Sequence, residues 1–260
     1  MDTSTGNRRA PLMITTRPRC LAVTATLALL GATALYPAGP GAAAALNTCA
    51  KPAPNRITAT PATYPRTVSL TFDDGPSAYT SQFLAVLKRY KVHGTFFLKG
   101  ANVVINPALA RQVVREGHVI GNHTFSHLEM PTLDKAAQAD EMDRGSAAII
   151  AATGRRPCYY RSPRGHATAT TQQLAVARRM TAVQWSIDTD DWSQPARVDK
   201  AFEKHIYDDA TSTRKHPIIL MHDGGGAPLY RGNTVRALDD IIRYYKVRGY
   251  VFTDPMGHRI

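Results

Sequence analysis

The stretch Thr67-Val68-Ser69-Leu70-Thr71-Phe72-Asp73-Asp74-Gly75-Pro76 decides how the rest of this 260-residue chain is read. An apolar strand over Thr67 to Phe72 runs into two adjacent carboxylates and then into Gly-Pro, which is turn chemistry, so extension stops there and the acids project from a sheet end. In parallel α/β architectures that end is where ligands bind and catalytic groups collect. Asp-Asp-Gly by itself is an ordinary turn signal. What raises it above that reading is a set of later segments that also follow predicted strands.

Working outward, the chain alternates strands with amphipathic helices. Helices are predicted over Ser81 to Tyr90, Pro107 to Glu116, Leu133 to Ala152, Thr170 to Arg179, Val198 to Tyr207 and Thr234 to Lys246. Between them fall strands at Gly94 to Leu98, His118 to Gly121, Cys158 to Tyr160, Ala182 to Ile187, Pro217 to Met221 and Tyr250 to Phe252. Such repetition implies a parallel sheet, open or closed into a barrel, in one domain over residues 66–260. Residues 46–65, with Pro52, Pro54, Pro61 and Pro65, read as an irregular lead-in.

Residues 1–45 do not belong to that core. Arg8, Arg9, Arg17 and Arg19 precede the apolar run Leu21 to Leu30, and Gly41 to Ala45 are small. This order is an export signal with cleavage near Ala44 or Ala45, and its apolar run is short of the roughly 20 residues of a spanning helix. The expected location is secreted or cell-wall associated, without stable membrane insertion once the signal is gone. Its removal takes away four Arg and one Asp, lowering the formal charge from +12 to about +9. A basic exported protein concentrates on anionic surfaces such as acidic wall polymers. The Lys and Arg form no groove-tracking stripe, so nucleic acid is not expected as a partner, and a monomer is. Cys49 and Cys158 remain as an even pair in an oxidising compartment, where a disulfide would tie the lead-in to the body.

Four segments supply what the paired acids would need. Gly121-Asn122-His123-Thr124-Phe125-Ser126-His127 carries two His four apart, a spacing that turns both imidazoles to one side on a helical turn or in a tight loop. Two His with one carboxylate are a common catalytic divalent-metal set, for which zinc comes first and cobalt or nickel also fit. Arg161-Ser162-Pro163-Arg164-Gly165 offers an Arg to hold a carboxylate ionised, although a surface ion pair is the plainer reading of Arg161 alone. Asp188-Thr189-Asp190-Asp191-Trp192 places acids beside a large ring suited to a sugar face, and Leu220-Met221-His222-Asp223 ends an apolar strand in an imidazole able to act as a general acid.

The ordered set TFDDGP, HTFSH, RSPRG, DTDDW and LMH resembles the polysaccharide deacetylases of carbohydrate esterase family 4, the NodB homology domain, over about residues 67–253. The resemblance implies a distorted (β/α) barrel with fewer than eight strands and metal-dependent removal of acetyl groups from sugar polymers. Carried over by motif, it implies Asp73 as general base and Asp74, His123 and His127 as metal ligands. Arg161 would pair with Asp73, His222 would be the general acid and Asp188 would orient it. Trp192 and Leu220 would line the acetyl pocket, and the Arg164 backbone N–H would face the oxyanion. Position 164 is Arg where the family usually has Tyr, which at the rim would favour an anionic polymer; Ser162 stands where Pro is more frequent. The expected substrate is an N-acetylglucosamine polymer such as peptidoglycan, chitin or their oligomers. The alternatives are an O-acetyl xylan esterase and a wall-polysaccharide binding protein without chemistry.

Overall fold

The computed structural model describes residues 49–211, 214–225 and 230–260; the expected export signal lies outside the described residues. In chain order the elements are β1 (Thr67–Asp73), α1 (Thr80–Tyr90), β2 (Thr95–Leu98), α2 (Gly100–Ile105), α3 (Pro107–Arg115), β3 (Val119–Asn122), α4 (Lys135–Thr153), β4 (Tyr159–Tyr160), α5 (Ala169–Ala177), β5 (Thr181–Ala182), β6 (Ile187–Asp188), α6 (Lys200–Ala210), β7 (Ile218–His222), α7 (Gly232–Val247) and β8 (Val251–Phe252). Seven strands pair in parallel in the order β5-β4-β3-β2-β1-β7-β6, while the two-residue β8 pairs with Thr67 and Val68. Helices surround this curled half-barrel, the distorted (β/α) architecture that the strand-helix alternation and the family resemblance imply. Among the described residues no helix is long and apolar enough to cross a membrane.

Strand β1 sits at the centre and is buried along all seven residues. Its parity separates two environments: Val68, Leu70 and Phe72 join the main apolar cluster with Phe83, Leu87, Phe96, Leu238 and Ile241. The opposite side presents Thr67, Ser69, Thr71 and Asp73, none more than 2% exposed. Successive side chains of a strand point to opposite faces, so Asp73 shares the side of Thr71 and away from the greasy layer.

The sequence reading places one strand over Ala182 to Ile187, and the structure divides it. Ala182 ends β5 at one edge of the sheet and Ile187 begins β6 at the other. Seven strands laid flat would separate those edges by ~29 Å, whereas the chain from Ala182 to Ile187 reaches at most ~18 Å. The sheet must therefore curl. The connecting carbonyls of Val183 and Gln184 are turned to a buried guanidinium, described below. Helix α2 is the other departure: Gly100 begins it with its backbone against Phe125 and Gly145, so it forms through packing that the local sequence does not announce.

Before β1 the lead-in is irregular apart from single bridges of Ile57 to Val183 and Ala59 to Pro217. Cys49 is disulfide-bonded to Cys158, with Cα atoms 5.3 Å apart and a sequence separation of 109. The disulfide that the even cysteine pair left open is thus present.

Candidate active site

Each motif lies at the C-terminal end of a strand: Asp73 ends β1, His123 follows β3, Arg161 follows β4, Asp191 follows β6 and His222 ends β7. Parallel pairing delivers all of them to one rim. The backbone there is under local constraint, since five of the seven non-glycine residues with positive φ among the described residues belong to it: Asp74, Thr124, His127, Arg164 and Asp190. Left-handed conformations at such residues persist only where surrounding contacts over-determine them.

Asp74, in this conformation at φ 71°, is turned to two imidazoles. His123 Nε2 lies 3.5 Å and His127 Nε2 3.3 Å from Asp74 Oδ1. The three ligand atoms fall within 4.8 Å of one another. His123 Nδ1 is 2.8 Å from the Arg161 carbonyl, an acceptor only, so Nδ1 carries the hydrogen and Nε2 presents its lone pair to Asp74. His127 stands in a loop, not on a helix, and that loop is braced from α4: the Glu141 carboxylate accepts the backbone N–H of Phe125 (3.2 Å) and Ser126 (2.7 Å), and Thr124 Oγ1 accepts that of His127 (3.0 Å). Burial pushes the Asp74 carboxyl up, but the surrounding His123, His222, His127 and Arg231 outweigh this and leave it lowered. Burial and the neighbouring His123 also lower His127. A carboxylate facing two imidazole nitrogens is a donor set that fits a divalent cation.

Asp73 is 2% exposed and accepts a 2.8 Å bond from Arg161 Nη1. Arg161 is wholly buried, which by itself disfavours its charge. Its donors are answered by Asp73, by Thr71 Oγ1 at 2.8 Å, and by the Val183 and Gln184 carbonyls at 3.4 and 3.2 Å, while its guanidinium lies 4.1 Å from the Phe97 ring centre. The break between β5 and β6 thus frees backbone acceptors for this cation. Asp73 Oδ2 reaches to 3.8 Å from His123 Nε2, beside the metal-fitting group.

His222 is oriented by Asp191, not by Asp188 as the motif reading expects. Its Nδ1 lies 2.6 Å from Asp191 Oδ1, and its backbone N–H donates to Oδ2 at 2.9 Å. Thr234 Oγ1 donates to the same Oδ2 at 2.9 Å, so the fully buried Asp191 is well satisfied. Asp188 Oδ1 instead accepts the Asp190 backbone N–H at 3.0 Å. Asp190 at φ 50° reverses the chain between them, and this reversal aims the next carboxylate back at β7. Burial opposes a charge on His222, yet Asp191, with help from Asp74 and Asp73, raises its pKa to about 9.

These groups open on one cavity of about 590 Å³ lined by Asp73, Asp74, His123, His127, Asp188 and His222, with Arg164, Leu220 and Trp192 among its walls. Leu220 is 3% exposed and Trp192 57%, so one is wall and the other rim. Arg164 is exposed and lies 3.5 Å through Nε from the Glu129 carboxylate, which also holds His166. Sequence reasoning passed over Asp191, Trp185, Arg231 and Glu141. Trp185 belongs to the stretch taken for a continuous strand, and Arg231 and Glu141 lie in helical or loop contexts with no local signal.

Comparison with known proteins agrees. The polysaccharide deacetylase family profile matches residues 60–183. A peptidoglycan-N-acetylglucosamine deacetylase of Bacillus cereus is 35% identical over 189 residues, covering 71% of this chain and 84% of that protein. A chitooligosaccharide deacetylase of a Bradyrhizobium species is 34% identical over 195 residues, covering 71% and 87%. The solved family 4 carbohydrate esterase from Streptomyces lividans, in complex with acetate, superposes with a TM-score of 0.66 at 29% identity, covering 75% of this chain and 97% of that one. Strand order, rim placement and sequence similarity converge, and the chain belongs to the polysaccharide deacetylases of carbohydrate esterase family 4.

Proposed function

We propose that this protein is an exported, metal-dependent hydrolase that removes N-acetyl groups from glucosamine units of a cell-wall or extracellular glycan, namely peptidoglycan, chitin or their oligomers. The observation that carries this reading is the meeting of Asp74, His123 and His127 ligand atoms within 4.8 Å, in a cavity that also receives Asp73 and His222. Those three residues would hold the cation, zinc first and cobalt or nickel next by donor type. When bound it supplies Lewis-acid polarisation of the acetyl carbonyl.

The chain's own groups supply the rest. Asp73, aimed by the 2.8 Å bond from Arg161, takes the proton of the attacking water. The Arg164 backbone N–H, presented by the turn after β4, donates to the developing oxyanion. His222, charged near neutrality through Asp191, protonates the departing amine. An amine leaves far less readily than an alcohol without that proton, so a buried acid of raised pKa favours amide over ester substrates. Leu220 and Trp192 receive the acetyl methyl and the sugar face. Cleavage near Ala44 or Ala45 places the enzyme at the wall, as a monomer.

Acetate release should be measured side by side on chitooligosaccharide, peptidoglycan and acetylated xylan, with the protein stripped of metal and then reloaded. The expected result is release from the N-acetylated glycans that vanishes on chelation and returns with zinc, cobalt or nickel. Release from xylan alone would replace the proposal with the O-acetyl esterase, and no release from any of them would favour a binding protein.

A further inference from the structure

Arg231 lies outside all five motifs, yet it is 3% exposed and forms part of the wall of the same cavity. Among the described residues no carboxylate stands within ion-pair distance of it. Its donors go to backbone carbonyls instead: Nε to Gly224 at 2.7 Å, Nη2 to Gly225 at 3.0 Å, and Nη1 to Tyr230 at 3.1 Å and Asp191 at 3.4 Å. Taking a guanidinium out of water is costly, and carbonyl dipoles return only part of that cost. What the arrangement achieves for the backbone follows from what those carbonyls belong to.

Gly224 and Gly225 are the residues that close over the paired acids. The backbone N–H groups of Asp223 and Gly224 both donate to the Asp73 carbonyl, at 3.1 and 3.2 Å. A Cβ on Gly224 would overlap the Asp74 carbonyl, and one on Gly225 would overlap Asp74 Oδ2. The backbone after β7 thus presses directly on the acid that faces His123 and His127. The Asp191 carbonyl belongs to the residue whose side chain holds His222. One planar fork therefore grips the segment seated on Asp74 and the segment seated under His222.

We infer that Arg231 is a positioning residue for the deacetylation proposed above, its guanidinium locking the Gly224-Gly225 backbone against Asp74 and the Asp191 loop beneath His222. A lysine keeps the charge but has no rigid fork to span four carbonyls. Removal of the fork lets the two sides of the cavity drift, and small misplacements of reacting groups cost rate more than binding.

The test is steady-state kinetics on chitooligosaccharide with metal-loaded Arg231→Ala and Arg231→Lys, alongside circular dichroism. Arg231→Ala is expected to keep its fold and its KM within threefold, to lose about 100-fold in kcat, and to recover at least tenfold when guanidinium ion is added at non-denaturing concentration. Arg231→Lys is expected to lose about tenfold without responding to guanidinium. Wild-type kcat in either variant, or an Ala variant that folds but is not rescued, overturns the inference. If the Ala variant does not fold, the kcat of Arg231→Lys decides alone. Because the inference rests on the proposed activity, zinc affinity by chelator competition is measured as well. Should the wild-type protein release no acetate, an affinity weakened tenfold in the folded variants upholds the positioning of Asp74, and an unchanged affinity rejects it.

Discussion

His123 and His222 are the same side chain placed at the ends of two strands of one sheet, and the structure prepares them for opposite chemistry. His123 gives its Nδ1 hydrogen to a backbone carbonyl, which fixes the ring and turns Nε2 toward Asp74. His222 gives its Nδ1 hydrogen to the buried Asp191 carboxylate, which favours the imidazolium and raises its pKa to about 9. The partner of the remote nitrogen, not the imidazole, separates a ligand from an acid.

The largest expected effect comes from removing the ligand side. His123→Ala should leave less than about a tenth of an equivalent of bound metal and lower turnover by ~10³-fold or more, since a three-ligand site loses one donor of three. Elemental analysis with an acetate assay checks it, and unchanged metal content would remove His123 from the ligand set.

On the other side, Asp191→Asn should spare the metal and lower kcat by about 100-fold. Activity that needs protonated His222 falls as pH rises through its pKa, so the alkaline limb, near 9 in the wild type, should move down toward the ordinary 6.5 in this variant. The sign for stability runs the same way. The folded pKa is raised, so the contribution is full below pH 6.5, fades up to about 9 and is absent above. Melting temperatures of metal-free protein at pH 6 and 9.5 should therefore differ more in wild type than in Asp191→Asn. An identical pH profile for the two proteins would break the contrast between the histidines.

The smallest effect sharpens which acid matters. Asp188→Asn should stay within about threefold of wild-type kcat, because the Asp188 carboxylate serves the Asp190 N–H and not the imidazole. A loss equal to that of Asp191→Asn in the same assay would restore Asp188 to the role the motif reading gave it.

Most helices and strands were legible to within two or three residues, because apolar spacing of 3.6 along the helices records which side meets the sheet. The stretch Ala182 to Ile187 was not, since a run of Val, Trp and Ile looks the same whether it spans one strand or turns a corner between sheet edges. Asp188, Asp190 and Asp191 were likewise indistinguishable as letters. Which of them meets His222 depends on one left-handed residue. Glu141 holds backbone N–H groups 15 and 16 positions away and Arg231 reaches a carbonyl 40 positions away, and such bonds leave no local pattern.

By itself the sequence determined that a buried central strand would end in two acids, and that the groups able to serve them would follow other strands in a set order. Both are consequences of periodicity and turn chemistry, which neighbouring residues settle among themselves. Only the tertiary structure decided that the sheet curls, that Asp191 and not Asp188 meets His222, and that Arg231 reaches the Asp191 carbonyl. Each of these turns on directions in space between atoms many residues apart, where a rotation of one backbone bond exchanges one partner for another.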